Sequence, residues 1–262
     1  MNELRISALQ FNIEWENKAK NLQRAEKLIE SLSGKTDIAV LPEMFTTGFS
    51  MNSRQLAEPT SGETVQLLHQ WASEFKMAIS GSFIAEENNS FYNRGFFITP
   101  EKGEFFYDKH HLFRIGDEGK SFSSGNKSLI IPYKEWNIRL LICYDLRFPV
   151  WARNVNNNYD LLIYTANWPA SRAHVWKTLL AARAIENMAY VCGANRIGGI
   201  HKDNIFEYAG NSQILDAKGK VLATTKDFKE DICTATLNLR ELQNFRTKFP
   251  AWQDADSFSI SL

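Results

Sequence analysis

The sequence is poor in cysteine, balanced in charge and free of long apolar runs, and each shortage removes a class of function. Three cysteines, Cys143, Cys192 and Cys233, are too few and too widely spaced for a disulfide framework. They form no C-x-x-C pair and meet no histidine cluster at zinc spacing, so no metal is expected. Basic residues number 30 against 30 acidic ones, which leaves no excess charge to gather a polyanion and argues against a nucleic-acid partner. The longest apolar stretches, Leu140-Leu141-Ile142-Cys143 and Leu161-Leu162-Ile163-Tyr164, are strand-sized. A bilayer span needs ~18 such residues, so no membrane segment is expected. The opening Met1-Asn2-Glu3-Leu4-Arg5 has no basic-then-apolar leader, and a reducing cytoplasm is the expected setting.

What is present is enough apolar material for a large core, with 44% of the 262 residues hydrophobic. No Pro/Ser/Gly-rich linker, repeat or low-complexity stretch divides it. One domain over residues 1–262 is expected, with a C-terminal tail from about 248. Strand-like and helix-like patterns alternate along the chain. A β-rich opening holds Ile6, Ala8 and Phe11; Leu22, Ala25, Ile29 and Leu32 then recur at helical spacing, with Asn17 as N-cap and Gly34 as stop. Asp37 to Leu41 reads as a buried strand. A second helix is expected over 62–76, then strands within 77–108, turning at Pro100 to Gly103. Asp108 to Gly125 is a polar loop, followed by strands at Ser128 to Ile131 and Ile138 to Ile142. A helix begins near Phe148 and Pro149. Further on come the strand Asp160 to Ala166, a helix over 172–188, the strand Tyr190 to Asn195, and short strands around 206–216, 220–224 and 232–238. The mixture is that of an α/β fold.

Glu43, Lys109 and Cys143 share one context, each standing where an expected strand gives way to a loop. Strand ends of this kind converge in α/β folds, whose sites form outside the carboxyl edges of sheets. Each residue alone has a plainer reading: a buried small hydrophobe for the cysteine, a helix cap for the glutamate, a solvated cation for the lysine. Together they supply a sulfur nucleophile, a base and a cation. A thiol of ordinary pKa, near 8.5, is only a few per cent thiolate at neutral pH and needs both helpers to react.

The three segments resemble the three signature blocks of the nitrilase superfamily of carbon–nitrogen hydrolases. They read Leu41-Pro42-Glu43-Met44-Phe45, Tyr107-Asp108-Lys109-His110-His111-Leu112, and Leu141-Ile142-Cys143-Tyr144-Asp145-Leu146-Arg147-Phe148-Pro149, in family order. Thr165-Ala166-Asn167-Trp168-Pro169 and Arg183-Ala184-Ile185-Glu186-Asn187 also resemble family segments. The resemblance implies a four-layer α-β-β-α sandwich with two mixed sheets, a homodimer, and no cofactor. It also implies Cys143 as nucleophile, Glu43 as general base and Lys109 as electrostatic stabiliser, with the Tyr144 N–H as a second oxyanion donor. A second carboxylate steadies the lysine in this superfamily; Glu118 is the best positional match and Asp117 its competitor. His110 and His111 are not required, since adjacent residues of an extended segment point to opposite sides. Arg183 and Glu186 are expected to form a structural ion pair.

The residues after Cys143 resemble the amidase branch, particularly omega-amidases, rather than true nitrilases, which usually carry Trp-Glu there. The implied substrates are small amides, 2-oxoglutaramate or 2-oxosuccinamate, cleaved to the dicarboxylate and ammonia. A carbamoyl-amide hydrolase and a catalytically silent binding protein are the competing readings. The substrate carboxylate calls for a guanidinium. Arg147 is the first candidate, with pairing to Asp145 or a nearby helix as its alternative, and Arg172 is the second. Phe45, Phe122 and Trp168 are candidate apolar walls. The tail from Trp252 to Leu262 is expected to reach a partner subunit.

Overall fold

The computed structural model describes residues 2–199 and 206–260. The first half of the chain supplies β1 (Glu3–Gln10), β2 (Ile38–Val40), β3 (Ala78–Glu87), β4 (Ser90–Ile98) and β5 (Glu104–Asp108). The second half supplies β6 (Ile130–Tyr133), β7 (Trp136–Ile142), β8 (Leu161–Ala166) and β9 (Tyr190–Asn195). Then follow β10 (Ile197–Gly198), β11 (Tyr208–Ala209), β12 (Gln213–Leu215), β13 (Val221–Thr224) and β14 (Asp231–Asn238). The longer helices are α1 (Lys18–Glu30), α2 (Glu63–Phe75), α3 (Ala173–Asn187) and α4 (Leu239–Lys248).

The strands form two six-stranded mixed sheets, ordered β14-β1-β2-β3-β4-β5 and β13-β12-β9-β8-β7-β6. Three parallel strands lie within each, β1-β2-β3 and β7-β8-β9, and the remaining pairings are antiparallel. Side-chain alternation explains why the sheets stack. On β2, Ile38 and Val40 enter the core between the sheets, while Ala39 faces α1 and α2. On β8, Leu161 and Ile163 enter that same core, while Leu162 and Tyr164 meet Trp176, Leu180 and Ala184 of α3. Both faces of the central strands are buried, and the layers run α-β-β-α.

Several boundaries differ from expectation for local reasons. The Asn17 side chain does cap α1, accepting from Lys20 N at 3.2 Å, but the helix ends at Ser31, before Gly34. The strand expected from Ser128 starts at Ile130 and includes Pro132, tolerable because β6 is an edge strand. A tight turn at Asn88-Asn89 joins β3 to β4, both residues having positive φ (52° and 61°), as a type I′ turn requires. The polar loop holds two short turns, Arg114–Gly116 and Glu118–Ser121. Beyond Lys248 come a single turn at Ala251–Asp254 and an exposed stretch over 255–260. Ser261 and Leu262 of the expected tail lie outside the described residues. No helix among the described residues is long and apolar enough to cross a membrane.

The C-terminal helix is fastened by one buried guanidinium. Arg246 reaches Asp160 Oδ1 at 2.8 Å and donates to the carbonyls of Met188 at 2.9 Å and Tyr159 at 2.7 Å. It thereby ties α4 to the chain entering β8 and β9. Removing one member of a buried ion pair costs about 3–5 kcal/mol. Arg246→Met is expected to lower the urea midpoint accordingly with an unchanged m-value, and a midpoint within experimental error of the wild type would contradict this account.

Candidate active site

The exits of strands from both sheets bring the sequence-flagged residues together. Glu43 follows β2 through Leu41-Pro42, Lys109 follows β5, Cys143 follows β7 and Asn167 follows β8. Two of these exits are strained turns. Met44 and Cys143 adopt left-handed backbone, φ 44° and 43°, a conformation that costs a non-glycine residue about 1–3 kcal/mol unless its surroundings impose it. Around Met44 the constraint is β3, whose Ser82 accepts from Met44 N at 2.9 Å and from Phe45 N, through its carbonyl, at 3.1 Å. The backbone of Lys109 is held by Asn93 O and by Gly125 N, at 3.0 and 2.9 Å. A Cβ on Gly125 would collide with the Asp108 carbonyl oxygen.

Glu43, Lys109 and Glu118 are all fully buried and in direct contact. Lys109 Nζ donates to Glu43 Oε1 at 2.8 Å and to both oxygens of Glu118, at 3.0 and 2.9 Å. Glu118, not Asp117, meets the lysine: Asp117 pairs with Lys120 at the surface. Glu118 also accepts from Phe113 N at 2.6 Å. Asn167 wraps Glu43, donating from its backbone N to Oε2 at 2.8 Å and from its side chain to the Glu43 carbonyl at 2.7 Å. Glu43, Lys109 and the Asn167 N–H are near enough to the Cys143 thiol to act on its ionisation. Cys143 itself keeps partial exposure.

The charges acting here have separable effects. Burial opposes ionisation of Lys109, but the carboxylates of Glu118 and then Glu43 more than compensate and hold the ammonium well above the usual lysine range. Burial raises Glu118, with Lys109 pulling the other way and Glu43 adding to the rise. Burial, and next the negative charge of Glu43, push the Cys143 thiol well up, and Lys109 offsets this only in part. The resting cysteine is therefore a thiol, and it becomes a nucleophile when a neighbouring base removes its proton. Among the described residues no group of three or more His, Cys, Asp or Glu is arranged to hold a metal ion.

A second network ties the lysine loop to the cysteine turn. Asp145 accepts from Tyr107 Oη at 2.8 Å, His111 N at 2.9 Å and Ile142 N at 3.1 Å, and its Oδ1 pairs with His111 Nδ1 at 2.8 Å. The expectation that His110 and His111 point to opposite sides is incorrect. The chain bends at both residues, and their rings lie 4.5 Å apart. His110 stacks on Trp151 and His111 on Phe148, at 3.9 and 3.6 Å between centroids. Arg183 and Glu186 do pair, at 2.8 Å, and Arg183 also donates to Leu146 O at the end of the cysteine turn.

A cleft opens over Cys143, and Tyr144, Arg147, Trp168 and Arg172 line it. Arg147 does not pair with Asp145; its guanidinium lies 5.2 Å over the Trp168 ring. Arg172 lies over Phe113 at 5.6 Å and Phe206 at 5.9 Å. Two of the expected walls are elsewhere. Phe45 is turned into the core by the bend at Met44 and packs edge-on against Phe96 at 5.9 Å. Phe122 packs with Met44 and Ile84 behind the site. The aromatic lining instead includes Phe49, Phe113, Phe206 and Tyr208, for which the sequence pattern held no signal. Asn93 was legible in principle. An asparagine inside the strand Ser90–Ile98 goes against β-propensity, and here it is fully buried beside both glutamates.

Comparison with known proteins finds relatives along the whole chain. The chain is 42% identical to the omega-amidase YafV of Yersinia enterocolitica over 99% of its own length and 100% of that protein. It is 35% identical to the 2-oxoglutaramate amidase of Bacillus subtilis, over 95% of this chain and 96% of that one. Its fold superposes on the crystal structure of XC1258 from Xanthomonas campestris, a CN-hydrolase superfamily protein with an arsenic adduct in its active site. The TM-score is 0.96, at 38% identity and with both chains covered over 100% of their length. Residues 5–247 match the carbon-nitrogen hydrolase family, and the chain belongs to that family.

Proposed function

We propose that the protein hydrolyses the terminal carboxamide of small 2-oxo dicarboxylic acid monoamides, 2-oxoglutaramate and 2-oxosuccinamate, to the dicarboxylate and ammonia. The observation that carries this reading is the buried contact of Glu43 with Lys109, set against the Cys143 thiol at the floor of a cleft with two guanidiniums in its walls.

The chemistry runs as acyl transfer to water. Glu43 takes the thiol proton as sulfur attacks the carboxamide carbon. The oxygen that becomes negative is met by the Lys109 ammonium and the Tyr144 N–H, each well-placed donor contributing about 3 kcal/mol. Glu43 returns its proton to the nitrogen, the C–N bond breaks, and ammonia leaves a thioester on Cys143. Water enters, gives its proton to Glu43 and attacks the thioester. The C–S bond then breaks, the sulfur recovers the proton, and the acid departs. Glu118 keeps the ammonium in place through both halves.

Arg147 is the partner for the substrate carboxylate, and Arg172 supports it. None of the described residues lining the cleft is an acid. Among the described residues the α-ammonium of free glutamine would therefore enter beside cations with no acid of the cleft lining to pair with, whereas an uncharged 2-oxo group meets no such penalty. A homodimer in the reducing cytoplasm completes the proposal. Val150 and Ile185, 56% and 55% exposed, are apolar side chains that such contact would cover.

The direct test is ammonia release from 2-oxoglutaramate, with glutamine, asparagine, carbamoyl amino acids and simple nitriles in the same panel. The expected result is turnover of the oxo-acid amides, with glutamine at least about 100-fold lower in kcat/KM, and loss of about 10⁴-fold or more in Cys143→Ala. Carbon dioxide from a carbamoyl amino acid, or full activity in Cys143→Ala, would overturn the reading. Losing a charge-assisted contact worth about 1.5–3 kcal/mol, Arg147→Met is expected to raise KM about 10- to 100-fold with a smaller change in kcat. An unchanged KM would reassign the carboxylate. Sedimentation equilibrium is expected to return twice the chain mass, and a monomer at micromolar concentration would remove the dimer.

A further inference from the structure

Lys109 offers one positive charge to two buried carboxylates, and close carboxylates that lack compensation take up a proton. Something besides the lysine must keep Glu43 free to act as a base. Asn93, in the middle of β4, touches both acids. Its Nδ2 donates to Glu43 Oε1 at 2.7 Å and to Glu118 Oε1 at 3.1 Å, so each hydrogen of the amide serves one carboxylate. Its Oδ1 accepts from Ser82 Oγ at 2.9 Å, and Ser82 Oγ accepts from Met44 N at 2.9 Å. Asn93 and Ser82 are fully buried.

This chain of bonds fixes which way the amide points. A flipped amide would set its oxygen against two carboxylate oxygens and its N–H₂ against the hydroxyl that now donates to it. The chain also closes on itself, because Met44 adjoins Glu43. The turn that delivers the base therefore anchors the group that conditions it. Oε1 of Glu43 is occupied by Lys109 and Asn93, while Oε2 accepts the Asn167 N–H and keeps its second lone pair to receive a proton.

We propose that Asn93 is a positioning residue that keeps Glu43 ionised and directs its Oε2 toward Cys143, by donating to both glutamates at once. The proposal rests on the reading of Glu43 as the base. The charged or titratable groups facing Glu43 are Lys109 after β5, Glu118 from the short turn Glu118–Ser121, and Cys143 after β7; Asn167 after β8 is neutral. Without Asn93, Glu43 and Glu118 lose a donor each and face one another across a single ammonium. Protonation of the pair then becomes easier, so its pKa rises, and the ionised base is lost at a higher pH than in the wild type.

The test reads that titration without depending on which amide is the substrate. Inactivation of Cys143 by iodoacetamide is followed against pH in wild type, Asn93→Leu and Asn93→Ser, with thermal unfolding recorded alongside. The expected result is an acid limb moved upward by about one pH unit. At the wild-type midpoint the variants are then about fivefold slower, approaching about tenfold at more acid pH, and the curves converge at alkaline pH. Asn93→Ser is too short to span both carboxylates and carries the same expectation should the leucine variant fail to fold. Superimposable profiles, or a loss equal at every pH in a folded variant, would overturn the proposal. Glu43→Gln separates the two failures: an acid limb that persists there removes Glu43 as the base, whatever Asn93 does.

Discussion

An ammonium group held away from water between two carboxylates is the constraint on which the rest of this site depends. Taking Lys109 out of solvent would ordinarily cost several kcal/mol, and a lysine so placed without partners would lose its proton. Here Glu43 and Glu118 keep it charged. Burial and, next, the charge of Glu43 act on the Cys143 sulfur as well, and Lys109 offsets them only in part. The thiol is held protonated, in contrast to cysteines that rest as thiolates beside a histidine or a helix N-terminus. A sulfur that rests as a thiol is less open to unproductive alkylation or oxidation.

Such a cluster cannot be assembled by any single element. Its members leave β2, β5 and β7, which belong to two different sheets, and the packing of those sheets sets the distances. The interior between them is filled by alternate side chains of every central strand, so a shift of one residue in register would exchange core and site. Strain at Met44 and Cys143 is tolerated because both bends are over-determined, one by Ser82 and the other by Asp145. Asp145 has the wider reach of the two. It bonds the cysteine turn, the tyrosine that precedes Lys109 by two residues and the histidine that follows it by two, so the nucleophile and the cation are held to one another through it.

Much of this was legible because strand ends announce themselves. A short apolar run followed by a polar residue and a break in period marks the exits that hold Glu43, Lys109 and Cys143, and the near-continuous apolar runs Ile38–Val40 and Leu161–Ala166 mark strands buried on both faces. Side-chain direction beyond the exits was not legible. Phe45 stands two residues from Glu43, but the left-handed step at Met44 lies between them and sends the ring into the core. Phe122 fails for a similar reason, because the loop that carries it folds back over Ile84. Opposite directions for His110 and His111 follow only from an extended backbone, and the chain bends there. The pairing of β14 with β1 joins residues more than 200 positions apart, and no local pattern encodes it.

The cleft divides into a floor that handles the bond and a rim that handles the rest of the molecule, and the two obey different physics. At the floor Glu43, Lys109, Glu118 and Asn93 are buried and bonded to one another, so displacing one leaves another unsatisfied at a cost of about 1–3 kcal/mol. Such a floor tolerates little variation and is indifferent to what lies beyond the carbonyl carbon. At the rim Arg147 and Arg172 rest on aromatic faces rather than on carboxylates. A guanidinium on an aromatic ring is held in orientation while its N–H edge stays free for an anion. A carboxylate partner would have spent that edge. On the proposed mechanism, preference among amides resides in side chains that the buried cluster does not need, and exchanging them alters which acyl group arrives without disturbing how the sulfur receives it.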